Sequence, residues 1–256
     1  MRFFTLYSGS GGNAAYIESG DTAILIDAGK SAKRLCSALC EIGSSISKIN
    51  AIFITHDHAD HTSALETLAK KHDIPIHITE KSAEIFEGER FSHLRERLVT
   101  HAPLFEVRVG ELSVRSFVTP HDSKMSVGFR IELADGRALG IATDLGYVSD
   151  TVSDALCGCE AVILESNHDI DMLESGPYPR FLKQRILSKR GHLSNPDSAI
   201  FAARLASSGT RSFLLAHLSA ENNTPSLALD EFLSAVADPT VIVSVADAER
   251  PTELYI

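Results

Sequence analysis

His56-Asp57-His58-Ala59-Asp60-His61 places four potential metal ligands within six residues, in the pattern H-x-H-x-D-H. The run that leads into it, Ile49-Asn50-Ala51-Ile52-Phe53-Ile54-Thr55, is apolar and largely β-branched or aromatic. That composition reads as a buried strand whose end throws the ligands into a loop. Imidazoles and a carboxylate packed this tightly are costly to hold together without a partner, and one or two divalent cations would organise them. The spacing lets His56 and His58 reach one ion while Asp60 and His61 turn toward a second. A solvated loop that happens to be His-rich is the alternative, and the rest of the chain weighs against it.

Three more ligand types follow apolar runs. His121 comes after Phe117-Val118-Thr119-Pro120, Asp144 after Leu139-Gly140-Ile141-Ala142-Thr143, and His217 after Phe213-Leu214-Leu215-Ala216. Singly, each reads as a satisfied histidine or a turn aspartate. Together with the His loop they make seven residues, enough for two metal sites, if several strands deliver side chains to one sheet edge.

Between these points the pattern is β-rich. Strands are predicted over 2–7, 14–18, 22–27, 76–79, 161–165, 212–216, 240–244 and 253–256, with two more in 105–119 turned at Gly110-Glu111. Ala134-Asp135-Gly136-Arg137 signals a hairpin between 127–133 and 138–143. Helical spacing appears at 35–42, at 63–72 with Thr62 as cap, at 197–207 and at 226–237. The two halves each begin β-rich and end α/β, which predicts two packed sheets with helices outside, an α/β arrangement in one domain spanning 1–256.

Composition sets limits. The 256 residues carry a formal charge of −10, which argues against broad nonspecific coating of nucleic acid. The N-terminal Met1 to Ser8 turns polar too soon for a signal peptide, and no window approaches a membrane span, so a cytoplasmic protein with no membrane association is expected. Four cysteines, Cys36, Cys40, Cys157 and Cys159, lack zinc-ribbon spacing and read as reduced thiols.

The ordered set Asp27 (in Leu25-Ile26-Asp27-Ala28-Gly29), the His loop, His121, Asp144 and His217 resembles that of metallo-β-lactamase-fold hydrolases, over essentially the whole chain. More narrowly, the chain is similar to the YycJ/WalJ group of bacterial proteins. The resemblance is carried by Ser8-Gly9-Ser10-Gly11-Gly12-Asn13, by Ala142 to Val148, and by Gly191-His192-Leu193-Ser194-Asn195 with Ala216 to Asn223. It implies a four-layer αββα sandwich of two mixed sheets. It implies a first metal on His56, His58 and His121 and a second on Asp60, His61 and His217, with Asp144 bridging. Asp27 would orient an imidazole. Zinc, manganese or iron would suit this set.

The group's described activity is metal-dependent exonuclease action on double-stranded DNA from the 5′ end, so DNA is the expected substrate, with no obligate protein partner evident. The resemblance makes Asp60, Asp144 and His192 the expected catalytic residues, His192 as proton donor to the leaving group. Arg180, Lys183, Arg185, Lys189 and Arg190 form a basic cluster in an acidic chain, and Lys183, Lys189, Arg190 and His168 are the expected substrate contacts. A phosphodiesterase for nucleotides or cyclic phosphates is the principal alternative. A glyoxalase II-type thioesterase is a weaker one, because little chain follows His217. A metal-binding interaction module would close its coordination with fewer ligands.

Overall fold

In the computed structural model, which describes residues 1–256, the inner strands are buried along their whole length. Successive side chains on a strand point to opposite faces, so such strands need apolar cover on both sides. β3 (Thr22–Ile26) sends Ile24 and Ile26 into a core between two sheets and Ala23 and Leu25 into an outer core beneath helices. β11 (Ala161–Glu165) and β12 (Ser212–Ala216) divide in the same way between the central core and a third, on the far side. Three cores between four layers make the expected αββα sandwich.

The first sheet runs β14 (Thr252–Glu253), β1 (Arg2–Tyr7), β2 (Ala14–Ser19), β3, β4 (Ile49–Phe53), β5 (Ile76–Thr79), β6 (Leu98–His101). The second runs β13 (Ile242–Val245), β12, β11, β10 (Ala138–Ala142), β9 (Val127–Glu132), β8 (Leu112–Val118), β7 (Glu106–Val109). Each sheet is antiparallel on one side and parallel on the other; the parallel pairs include β3 with β4, β10 with β11 and β11 with β12. The loops that leave β4, β8, β10 and β12 carry the His loop, His121, Asp144 and His217.

The helices follow the sequence less closely. A single helix over 63–72 is replaced by a short turn of helix, Ala59–Thr62, and a second helix, Leu65–Lys71. Thr62 caps neither. Its hydroxyl donates to the His58 carbonyl at 3.0 Å, which holds the turn that carries Asp60 and His61. Helices at Asp150–Leu156, Ile170–Ser175 and Arg180–Ile186 and strand β6 are additions to the sequence reading; each is seven residues or fewer, too short for a period to stand out. Ser194 caps the longest helix, Asn195–Ser207, through the Asp197 amide. No helix is long and apolar enough to cross a membrane.

Candidate metal centre

Three non-glycine residues have left-handed backbone: Asp27, Asp144 and His217, with φ of 63°, 58° and 58°. Each stands just past a strand, β3, β10 and β12 respectively. This conformation costs an L-residue about 1–2 kcal/mol, and it persists where the surroundings over-determine it. The Asp27 amide donates to the Phe53 carbonyl at 2.8 Å. The His217 amide donates to Ser8 Oγ at 2.7 Å, and its carbonyl accepts from Asn167 Nδ2 at 2.8 Å.

The strand ends bring all seven sequence-predicted ligands together. His56, His58 and His121 present ring nitrogens within 4.8 Å of one another, and so do the side chains of Asp60, His61 and His217. A third such group, His56, His61 and Asp144, ties the first two together. Asp144 Oδ2 lies 3.3 Å from His61 Nε2, and Asp144 Oδ1 lies 3.6 Å from His121 Nε2 and 3.8 Å from His217 Nδ1.

The outward-facing ring nitrogens are fixed from behind. His61 Nδ1 donates to Asp27 Oδ2 at 2.7 Å, and Asp27 also accepts from the Thr55 amide and hydroxyl, both at 2.8 Å. Thr55 Oγ1 lies 3.0 Å from His56 Nδ1. His121 Nδ1 donates to the Gly191 carbonyl at 3.1 Å, and His217 Nδ1 to Glu165 Oε1 at 2.7 Å. These bonds set the tautomer and leave the opposite nitrogen for the cluster.

That residual capacity tests whether metal fits. His56 Nε2, His217 Nε2 and Asp144 Oδ2 are buried and have no hydrogen-bond partner. Buried polar atoms are normally paired, so three orphans converging on imidazoles and carboxylates fit cations. Electrostatics agrees. Burial opposes charge on His217, yet Asp144, Asp60 and Glu165 outweigh it and push its pKa up to about 10. Burial likewise opposes charge on His61, and Asp27 and Asp144 hold it well above its usual range. The pull that the carboxylates exert on protons is equally available to divalent ions.

Two residues outside the sequence-predicted site set prove central. Glu165, the fully buried end of β11, accepts four bonds: His192 Nδ1 at 2.9 Å and His217 Nδ1 at 2.7 Å on Oε1, the Leu145 and Leu193 amides at 2.6 and 3.1 Å on Oε2. Burial would raise its pKa, but His192 and His217 hold it down to about 2. With its acceptor sites filled it orients rather than ligates. A carboxylate closing the apolar run Ala161–Leu164 was its only signal. Asn13, in the glycine-rich turn, lies 3.3 Å from Asp60 Oδ2 and 3.0 Å from His61 Nε2, and its amide donates to the Asp60 carbonyl at 2.7 Å. Gly29 permits this approach: a Cβ there would stand 1.5 Å from the Asp60 carbonyl oxygen.

His192 sits between the ligand groups, its ring 5.1 Å from that of His121 and 5.2 Å from that of His217, with 20% of its side chain exposed. Two of the expected substrate contacts are held within the fold. His168 is 1% exposed, packed where its backbone bridges to Ser194, and cannot meet a substrate from solvent. Lys183 spends its ammonium on the carbonyls of Glu174 and Gly176, both at 2.7 Å, and so stitches the turn after the 170–175 helix. Lys189 and Arg190 do face a cleft beside His121, which Lys124 and Tyr147 also line. Arg190 there holds the His121 carbonyl, Nε and Nη2 both at 3.3 Å.

This architecture and the match of residues 22–218 to the Beta-lactamase superfamily domain place the chain in the β-lactamase superfamily. Within it, the chain is 34% identical over 249 residues to the exodeoxyribonuclease WalJ of Streptococcus pneumoniae serotype 2, spanning 96% of this chain and 91% of that one. It is 36% identical over 233 residues to the exodeoxyribonuclease YycJ of Bacillus anthracis, spanning 89% and 86%. Among solved structures, Zn2+-bound PqqB from Methylobacterium extorquens superposes with a TM-score of 0.72 at 19% identity over 98% of this chain and 99% of that one, a likeness of fold.

Proposed function

We propose that this chain is a two-metal exodeoxyribonuclease, with DNA as substrate. The single observation that carries the reading is the interlocked ligand set, whose two triads are joined by a third group of His56, His61 and Asp144, in a chain alike over most of its length to proteins named for that activity. His56, His58 and His121 would hold one ion, Asp60, His61 and His217 the other, and Asp144 would bridge. Zinc, manganese and iron all suit such ligands. Bound there, the ions would activate the attacking water and offset charge developing on the phosphate.

The chain's own groups do the rest. Phosphodiester hydrolysis joins a water oxygen to phosphorus and breaks the bond to a sugar oxygen, which must gain a proton. His192 is the donor: Glu165 takes its Nδ1–H and leaves Nε2 for the leaving oxygen. Asp60 would be the carboxylate that meets the attacking water, since its side chain keeps 25% exposure where Asp144 keeps 2% and Glu165 none. Lys189 and Arg190 border the path of the strand beside His121.

The internal engagement of Lys183 and Arg190 favours, as a second reading, a phosphodiesterase for small nucleotides, which needs fewer free cations. Incubation of the manganese-loaded protein with end-labelled duplex and single-stranded DNA, RNA and a bis-aryl phosphodiester separates the two. Mononucleotide release from duplex DNA supports the first reading. Turnover of the small diester alone supports the second.

A further inference from the structure

Tyr147, 44% exposed, is a wall common to two openings. One is the cleft of 430 Å³ beside His121 that Lys124, Lys189 and Arg190 border. The other is a groove of 260 Å³ whose walls include Val148, Leu193, Ile200 and Phe201. Their chemistry differs. No carboxylate lines the first, although the chain carries a net charge of −10. Of its three cations, Lys124 is paired with Glu84 and Arg190 holds the His121 carbonyl. Lys189 forms no ion pair, and its ammonium stands 5.9 Å from the centre of the Tyr147 ring. The second opening is largely apolar, with Leu193 and Phe201 buried in its wall and Ile200 open to solvent. Its carboxylate, Asp197, accepts from Ser194 Oγ at 2.8 Å.

The frame of the metal centre fixes this ring in place. Tyr147 lies three residues past Asp144. Between them, the Leu145 amide donates to Glu165 Oε2 at 2.6 Å and the Gly146 amide to the Pro120 carbonyl at 2.8 Å. Gly146 runs so close to the neighbouring turn that a Cβ on it would stand 2.3 Å from the Lys189 carbonyl oxygen. Ring and ammonium are therefore carried by two turns packed backbone against backbone.

We propose that Tyr147 is a stacking platform for the base of a nucleotide flanking the scissile phosphate, with Lys189 on that nucleotide's own phosphate. The inference rests on the nuclease reading above and adds to it a residue that senses the base. A nucleotide joins the two things these openings receive: an anion for the unpaired ammonium, and a flat ring for an aromatic backed by apolar side chains. Every base has a π-face, so all four are accepted, and the larger face of a purine is held more tightly than that of a pyrimidine.

The experiment uses duplexes in which each nucleotide near the end of one strand is made abasic in turn. Cleavage is followed with the manganese-loaded protein. At one position the missing base should lower kcat/KM about tenfold, a size that base–aromatic stacking commands, and the loss should fall on KM. Tyr147→Phe should keep this penalty and Tyr147→Ala should abolish it. The pairing lost at an abasic site is common to all three proteins and cancels between them. Binding is read separately, with the metal-free protein and 2-aminopurine at that position. Its fluorescence should be quenched by the unaltered protein and by Tyr147→Phe, but not by Tyr147→Ala. An abasic penalty equal in the unaltered protein and Tyr147→Ala at every position, or quenching equal in the two, would overturn the platform and leave the nuclease reading standing. Hydrolysis of a bis-aryl phosphodiester with no cleavage of any DNA would overturn both.

Discussion

His217 Nδ1 lies 2.7 Å from Glu165 Oε1, joining the ends of two neighbouring parallel strands in which Glu165 stands in register with Ala216. The same oxygen holds His192, so one carboxylate orients a residue assigned to metal and a residue assigned to proton transfer. Glu165→Gln should therefore damage both. It puts an NH2 group where either the imidazoles or the Leu145 and Leu193 amides now donate, and an unsatisfied buried donor costs about 1–3 kcal/mol. Metal titration should show affinity down about 10–100-fold, and thermal denaturation of the metal-free protein should show a lower midpoint. Unchanged affinity would mean that His217 needs no orienting.

Asp27 does for His61 what Glu165 does for His217. Asp27→Asn suits a clean test, because asparagine tolerates left-handed backbone better than most residues. The fold should survive while metal retention against a chelator falls about 10–100-fold. Asp27→Ala adds backbone strain and should lower the thermal midpoint as well. Equal metal retention in Asp27→Asn and the unaltered protein would remove Asp27 from the site.

His217→Ala and His192→Ala should part company. Elemental analysis should find one ion lost from the first and both retained in the second, with turnover of the second down about 10²–10⁴-fold, the range for a general acid. Equal metal loss in the two would show the division of roles to be wrong.

A pH effect on stability should come from the far end of the first sheet. His77 stacks on Phe53 at 4.6 Å, and its Nδ1 lies 2.9 Å from His101 Nε2. Burial, with His101 beside it, lowers the His77 pKa from 6.5 to about 4. The unfolded chain takes up a proton near pH 6.5 that the native site refuses until about pH 4. Stability is thus fully present above pH 6.5 and falls as the pH drops toward 4. Urea midpoints at pH 7 and pH 5 should fall further for the unaltered protein than for His77→Phe. Equal falls would place the effect elsewhere.

The candidate ligands were legible because each is a polar residue at the end of an apolar run, where a strand must stop and its side chain must find a partner. The paired sheets followed from strands too apolar to leave a face wet. Glu165 was hidden because its importance lies in the Leu145 and Leu193 amides and two imidazoles, none near it in sequence. Asn13 was hidden among glycines that read as a plain turn. The surroundings of Lys183 and His168 could not be read either, because residue type reveals charge and ring but not whether a backbone carbonyl or a packed wall already claims them.

The left-handed trio at Asp27, Asp144 and His217 has a bearing on how this protein can change over generations. Glycine rests easily at such angles, so a chain selected only to fold would drift toward it. If Asp144 holds metal as proposed, that role is what keeps the less comfortable residue in place, and lineages released from it should lose Asp144 early while their sandwich endures.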